Sequence, residues 1–517
     1  MRKEIYYDYY EVFIMKLNEI TNEHVGQPVT VEAEIINVIQ TKGPTLFKIT
    51  DGDGTFTIKG FIGAGKRAFP NYDVGDVANI QFTVTEHNGV LEGEARSFNA
   101  VGDSATVRSN LEAKRKEQSS VGEFSFLVTS STTDKLREQF IAAATLIKEA
   151  VASNRPILVR HHNDCDGYSS GVVLQRAIMP LLEKQHGKKS AGRYFTRSPC
   201  RAPFYSYEDS LRDISITAGN LARFDEQPPL VLIVDNGSGA EDLLGIRQGK
   251  LYGMDFIVVD HHPYGEEDVI SAEVLVHINP YLVSEDYSFT AGMLCTELAH
   301  IINKDAQNIL FIAAMAGIAD HTESDALEQF IQLSKDEGYT REELEQISRV
   351  IDFIANQLRN MESREVVADL FGENRERQKA MTAMLYPRVM KMYEQNISLA
   401  KIYGKQEKIG DTLMQTLDIE NTFSRSSYPP AGKTTGLYHD LAAKEHDKVV
   451  TVGYGPDFVT IRATDASPFE LHSVLEAIHK ELPDAFADGG GHQKAGSIKF
   501  APKAQQAVLD FIKKSLE

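Results

Sequence analysis

The first hundred residues alternate between apolar and polar positions. In VTVEAEIINV, Val29, Val31, Ala33 and Ile35 fall on one face of an extended chain, the period of a half-buried strand. FKITDGDGTFTIKGF reads as two strands around an Asp-Gly turn, and TVTEHNGVLEGEA as a second pair around Asn88-Gly89. Roughly five short strands over residues 16–106 predict a small barrel of the OB type. The run Asp51-Gly52-Asp53-Gly54 looks like the start of a calcium loop. Its twelfth position is Ile62 instead of Glu, which leaves a hairpin turn. Ahead of the barrel, residues 1–15 form a tyrosine-rich leader, with Met15 as an alternative start. Behind it, the charged, Ser-containing stretch 107–122 reads as a linker.

The pattern then changes. Over residues 120–322, helical spacings alternate with the short apolar runs RPILVR, PPLVLIVD, DFIVVD and AEVLVHI. Such alternation predicts a mostly parallel sheet flanked by helices. Residues 323–420 read as a helical connector. Thr340 and Glu343 make a capping box there, followed by Leu344, Ile347, Ile351, Ile354 and Leu358 at helical spacing. Residues 421–517 return to α/β, with strands near 448–453, 457–463 and 496–500. The fold class expected is multidomain α/β: an N-terminal OB-type barrel, an α/β domain, a helical connector and a C-terminal α/β domain.

Composition narrows the function. The 517 residues suit about three or four domains. Cys165, Cys200 and Cys295 are scattered singly, so neither a disulfide framework nor a thiolate zinc site is expected. No apolar stretch is long enough for a membrane span and no signal-peptide core is present, so a cytoplasmic protein without a membrane partner is expected. A formal charge of −20 argues against coating nucleic acid through bulk electrostatics, yet it leaves room for a local groove.

Three apolar runs end in acidic or histidine clusters. RPILVR leads into His161, His162, Asp164 and Asp166; PPLVLIV ends at Asp235-Asn236-Gly237; DFIVV ends at Asp260-His261-His262. Asp320 closes a fourth run, ILFIAAMAGIAD. Ligands bind beyond the carboxyl ends of strands in open α/β sheets, so these loops should converge. One Asp after a strand is ordinarily a helix cap, but capping does not explain four such clusters. Carboxylates with imidazoles suit two divalent cations, Mn²⁺ first, with Mg²⁺ or Co²⁺ as alternatives. Asp164 and Asp166 could serve one ion each with Asp235 between them, the pattern of two-metal phosphodiester hydrolysis.

Taken in order, HxDxDG at 162–167, Asp235, the triplet Asp260-His261-His262 and Asp320 resemble the four motifs of the DHH phosphoesterase superfamily. GGGHQKAGS at 489–497, with Arg462 in FVTIRATD, resembles the DHH-associated substrate-binding domain, and the preceding OB domain is most similar to archaeal RecJ-like nucleases. The resemblance implies that His162, Asp164 and Asp235 hold one metal. Asp166, Asp235, His261 and Asp320 would hold the second, with Asp260 orienting its neighbours and His262 beside the scissile phosphate. Bacterial RecJ proteins commonly carry Asp where this chain has His162, which bears on metal preference. In the C-terminal part, Arg462, Gly490, Gly491 and His492 would bind a phosphate or terminal nucleotide, a Gly-rich turn letting backbone N–H groups approach an anion. GKTTG at 432–436 imitates a phosphate loop, but Ser427 stands where that motif needs Gly.

Between the first two motifs, Lys188, Lys189, Arg193, Arg197 and Arg201 are interleaved with Tyr194, Phe195, Phe204, Tyr205 and Tyr207. Cations that track a backbone, mixed with rings that stack bases, suit a single-strand channel. The expected function is therefore a single-strand exonuclease on DNA or RNA that releases mononucleotides in replication, repair or RNA turnover. Replication or repair proteins are the partners that the resemblance implies. Two alternatives stay open: a small-nucleotide phosphodiesterase on the same core, and a replication-associated scaffold.

Overall fold

The structure is a computed structural model, and it describes residues 14–516 apart from 88, 225–226, 266, 359–363 and 425–426. Two compact units are present, one built from residues up to Ser348, the other from Arg349–Gln357 and from Glu365 onward. Among the described residues, no helix is long and apolar enough to cross a membrane.

The first unit opens with a closed barrel. Its strands are β1 (Pro28–Gln40), β2 (Thr45–Thr50), β3 (Thr55–Gly60), β4 (Val77–His87) and β5 (Val90–Ala100), in the order β1-β2-β3-β5-β4. Val29, Val31, Ala33 and Ile35 all point into its core with Phe47, Ile49, Ile80 and Phe82. Of the expected leader, residues 1–13 lie outside the described residues. Ile14 bridges Thr30, and Met15 packs against the barrel core. The expected linker is instead a helix, Ser104–Ser119. Asp103 caps it, and polar contacts fasten it to the barrel: Arg115 pairs with Glu34, and Lys114 Nζ donates to Asp53 at 2.6 Å and to the Asp51 carbonyl at 3.0 Å.

The parallel sheet follows, with β6 (Ile157–His161), β7 (Phe195–Pro199), β8 (Leu230–Val234), β9 (Asp255–Val259) and β10 (Val276–Ile278) in the order β10-β9-β8-β6-β7. All four pairings are parallel. β6, β8 and β9 are in register, with His161 opposite Val234 and Val234 opposite Val259, so their carboxyl ends finish level. Strands buried on both faces have to be continuously apolar, as LVLIV in β8 is.

In the second unit, a mixed sheet runs β11 (Lys405–Ile409), β12 (Thr412–Asp418), β13 (Val449–Tyr454), β14 (Phe458–Ala463), β16 (Ala495–Lys499) and β15 (Asp488–His492). This sheet begins at Lys405, ahead of the expected boundary at 421. The expected connector is also divided: part of the helix Arg341–Leu358 belongs with the C-terminal part, where Phe353 packs on Tyr428 and Lys433 pairs with Asp352. Lys433 lies in the helix Ala431–Ala443, so GKTTG is helix instead of a phosphate loop.

Candidate metal centre

Because β6, β8 and β9 end at one level, the residues just beyond them meet. His162 and Asp164 follow β6. Asp164 caps the helix Cys165–His186 by accepting the Gly167 N–H at 3.0 Å. Asp166, in its first turn, is fully buried and accepts N–H groups from Ala291 (3.0 Å) and Gly292 (2.8 Å), where the helix Ala291–Ile302 begins. Asp235 follows β8 in the left-handed region at φ 59°. Asp and Asn tolerate that region better than other side chains. Asp320 ends the helix Leu310–Ala319.

These side chains form two adjoining groups. In the first, His162 Nδ1 lies 2.8 Å from Asp164 Oδ2 and 3.6 Å from Asp235 Oδ2. In the second, His261 Nε2 lies 3.7 Å from Asp166 Oδ2, 3.3 Å from Asp320 Oδ2 and 3.3 Å from Asp235 Oδ1. Asp235 thus offers one oxygen to each group. Within each of the sets His162, Asp164, Asp235 and Asp166, His261, Asp320, ligand atoms lie within 4.8 Å of one another; His262 joins Asp235 and His261 in a third such set.

The electrostatics ask for cations. Burial, then Asp235 and Asp320, push the Asp166 carboxyl well above the ordinary range. Burial, opposed by His261 and reinforced by Asp235, lifts Asp320 to about 7. Burial and His262 act against the charged form of His261, but Asp235, Asp320 and Asp166 outweigh them and raise it to about 9. Among the described residues, Asp235 Oδ2 and both ring nitrogens of His261 are buried with no hydrogen bond of ordinary geometry. Carboxylates that raise one another, beside orphaned ligand atoms, fit hard divalent cations.

Around the cluster lies a polar frame. Asp260 Oδ1 accepts from the backbone N–H of His261 (2.8 Å) and His262 (3.3 Å) and lies 2.8 Å from His262 Nδ1. Its Oδ2 accepts the Ser238 N–H at 3.2 Å. Asn279 Nδ2 donates to the His262 carbonyl and to Ser238 Oγ, both at 2.8 Å, and Ser238 Oγ lies 2.9 Å from His277 Nε2. Sequence reasoning missed Ser238, His277 and Asn279. The only signals were a Ser in the Asp-Asn-Gly-Ser run and an Asn closing the last apolar run.

Gly167 is fixed by packing: a Cβ there would sit 2.2 Å from the His162 carbonyl oxygen. Alanine inside a helix ordinarily gains ~1 kcal/mol over glycine. Here Gly167→Ala is expected to do the reverse, lowering the melting temperature and cutting Mn²⁺-dependent stabilisation by displacing His162. Melting curves with and without Mn²⁺ check this.

The other sequence-predicted residues are spread out. β7 pairs with β6, and its alternate residues Phe195, Arg197 and Pro199 turn inward. Arg197 is buried, its Nε donating to Gln175 Oε1 at 3.1 Å, and Tyr194 and Tyr205 are also interior. This arrangement corrects the expected channel: Arg197 and these rings are core. Lys188 and Arg201 are exposed and Arg193 is half-buried, while the side chain of Lys189 lies outside the described residues.

In the second unit, the expected Gly-rich turn is the edge strand β15. His492 faces Ala495, which faces Arg462, so these positions share one row across the sheet. A Cβ at Gly489 would lie 2.4 Å from the Ser497 carbonyl and one at Gly491 2.5 Å from that of Ala495, so bare backbone is required there. Gly490 is opposite Ser497, and the side chain of His492 is outside the described residues. Arg462 is half-buried and donates to its neighbour's carbonyl, Ile461 O, at 2.8 Å.

Residues 156–319 match the family model "DHH family, N-terminal domain". An uncharacterized protein of Methanocaldococcus jannaschii is 35% identical over 536 residues, covering 96% of this chain and 70% of its own. The solved DHH domain of a protein from a ribosomal protein family is 33% identical with a TM-score of 0.76, covering 79% of this chain and 97% of its own. Exonuclease RecJ bound to manganese is 16% identical with a TM-score of 0.49, covering 76% of this chain and 96% of its own.

Proposed function

This chain belongs to the DHH family, and we propose that it is a two-metal phosphodiesterase that removes mononucleotides from the end of single-stranded DNA or RNA. The observation that carries the reading is the pair of ligand groups sharing Asp235, one oxygen to each. His162, Asp164 and Asp235 would hold one divalent ion, and Asp166, Asp235, His261 and Asp320 the other. Bound there, such ions would polarise a phosphoryl oxygen and ease deprotonation of an attacking water. The chain's own residues do the positioning. Asp260 holds the backbone of the His261-His262 turn, and Asn279 fixes its carbonyl from the opposite side. Mn²⁺ suits the mixed carboxylate and imidazole set best. The OB-type barrel supports a strand over a free nucleotide as substrate, and a role in replication or repair would follow from that substrate.

Chelator-treated protein should regain hydrolysis on adding Mn²⁺, with metal analysis giving two ions per chain. Saturation at one ion with full activity would remove the two-metal assignment.

Arg462 and the backbone of Gly490 and Gly491 would anchor the phosphate or terminal nucleotide, with His492 as a further donor. Arg462→Ala is then expected to keep both metals while slowing mononucleotide release at least about tenfold, or ~1.4 kcal/mol of barrier. Metal content and product ladders from the same preparation check this.

A further inference from the structure

In barrels of the OB type, the face formed by the second and third strands commonly takes the nucleic acid. Here that face meets the chain's own helix. Lys48, on β2, donates to His186 Nδ1 at 2.6 Å, and the Thr55 hydroxyl, on β3, donates to the Gln185 carbonyl. Both partners lie at the end of the helix Cys165–His186 in the parallel-sheet domain. Lys59, farther along β3, is paired with Glu92 on β5.

One end of the barrel is open instead. Gln40 ends β1, Thr45 begins β2 and Gly60 ends β3, with Gln40 opposite Thr45 and Thr45 opposite Gly60. The segments 41–44 and 61–67 therefore leave the barrel at the same end. The longer one has a defined shape: the Ala68 N–H donates to Thr45 Oγ1 at 2.8 Å, and the Lys66 N–H donates to the Gly63 carbonyl at 3.1 Å. A Cβ at Gly60 would lie 2.7 Å from that of Ala68, so bare backbone lets the base of this loop close.

The loop shows apolar side chains to solvent beside cations. Phe61 is 66% exposed and Ile62 62%. Among the barrel's described rings, Phe47, Phe56, Phe82 and Phe98 are buried and Phe69 and Tyr72 pack on them, so Phe61 is the ring that can meet a base. Residues 40–45 and 60–72 hold Lys42, Lys66 and Arg67 and no Asp or Glu, in a chain of net charge −20. Arg67 pairs with Asp73 at 2.9 Å, whereas Lys42 and Lys66 are exposed. Lys66 folds back over Gly63, where a Cβ would lie 3.3 Å from its Cδ, and so stays close to Ile62. An exposed ring among cations suits a single strand of any sequence, because every base has a face to stack and every nucleotide a phosphate.

We propose that the loop end of the barrel, and not its β2–β3 face, holds the single strand. Phe61 stacks on a base, Ile62 borders it, and Lys42 and Lys66 contact the flanking phosphates. The inference rests on the single-strand reading above and adds where the barrel takes hold of that strand.

The test uses the full chain in chelator, so that the strand is not consumed. The sequence contains no tryptophan, so Phe61→Trp places a single indole in the loop. An oligothymidylate should quench its fluorescence in step with binding followed by the anisotropy of a labelled strand. Tyr252→Trp, at an exposed helix end of the parallel-sheet domain, should show no quenching. Phe61→Ala should loosen the strand at least about fivefold through the loss of one stacked base, and Phe61→Tyr should restore it. Changing Lys42 and Lys66 together to Gln should flatten the salt slope by roughly 1.4, about 0.7 for each lost phosphate contact. An unquenched indole, with unchanged affinity in Phe61→Ala while the wild type binds the strand, would overturn the site and leave the nuclease reading intact. Wild-type protein that binds no single strand would overturn the site and the single-strand reading together. An indole that shifts to the blue on anionic lipid vesicles and does not respond to the strand would make the loop a membrane contact and overturn the proposal.

Discussion

Replacing Asp235 with Asn is expected to abolish metal-dependent phosphodiester hydrolysis, by at least about a thousandfold or ~4 kcal/mol of barrier, with the fold kept. Each oxygen of Asp235 faces a different ligand group, at 3.6 Å from His162 Nδ1 and 3.3 Å from His261 Nε2. Asn keeps the size of the side chain and tolerates the left-handed backbone at φ 59°, so it removes the bridging charge without changing the turn. Asp235→Ala should be equally inactive but less stable, since alanine does not favour that backbone. Hydrolysis assays set beside melting curves separate the two effects, and an Asn variant with normal turnover would refute the bridging role.

Arg160→Ala is expected to destabilise the first unit by about 3–5 kcal/mol. Arg160 lies on β6 just ahead of His162 and Asp164 and is almost completely buried. Its Nε donates to Asp213 Oδ2 at 3.0 Å, a second guanidinium nitrogen pairs with Asp213 Oδ1, and Asp209 lies 3.8 Å away. Truncation would leave Asp213, which also accepts the Tyr205 hydroxyl at 3.0 Å, without its cation in a low-dielectric interior. The double variant Arg160→Met with Asp213→Leu should recover much of the loss, because an apolar replacement of the whole pair removes the stranded charge. Denaturant titration of both variants checks this, and equal destabilisation of the two would mean that lost packing, not stranded charge, dominates.

The barrel and the parallel sheet were legible because both are held by apolar periodicity: alternation in β1, continuity in β8. That the candidate ligands would converge was legible for a related reason. All of them but Asp320, which ends a helix, sit directly after three apolar runs, and in-register parallel strands bring such positions together. What the pattern hid is held by other forces. The helix Ser104–Ser119 has Leu111 as its one buried large apolar side chain and is fastened by Arg115 and Lys114, so it carries no apolar stripe to detect. β7 looked like a basic surface because Arg197 stands at an inward position, stabilised by Gln175 and by the Tyr168 ring 5.7 Å away. β15 looked like a turn because Gly489 and Gly491 are required by closeness to β16, which no propensity reports. Asn279 and Ser238 were missed because their contribution depends on a contact across 41 residues of chain.

Under the proposed function, two cation sites sharing Asp235 serve hydrolysis at the end of a single strand. A time course on single-stranded DNA and RNA, each end labelled separately, in Mn²⁺ and in chelator, tests it most directly. Labelled mononucleotides are expected from the first time point with one of the two labels, with a ladder shortening one step at a time and no products in chelator. Internal cuts from the outset, or undiminished cleavage in chelator, would contradict it.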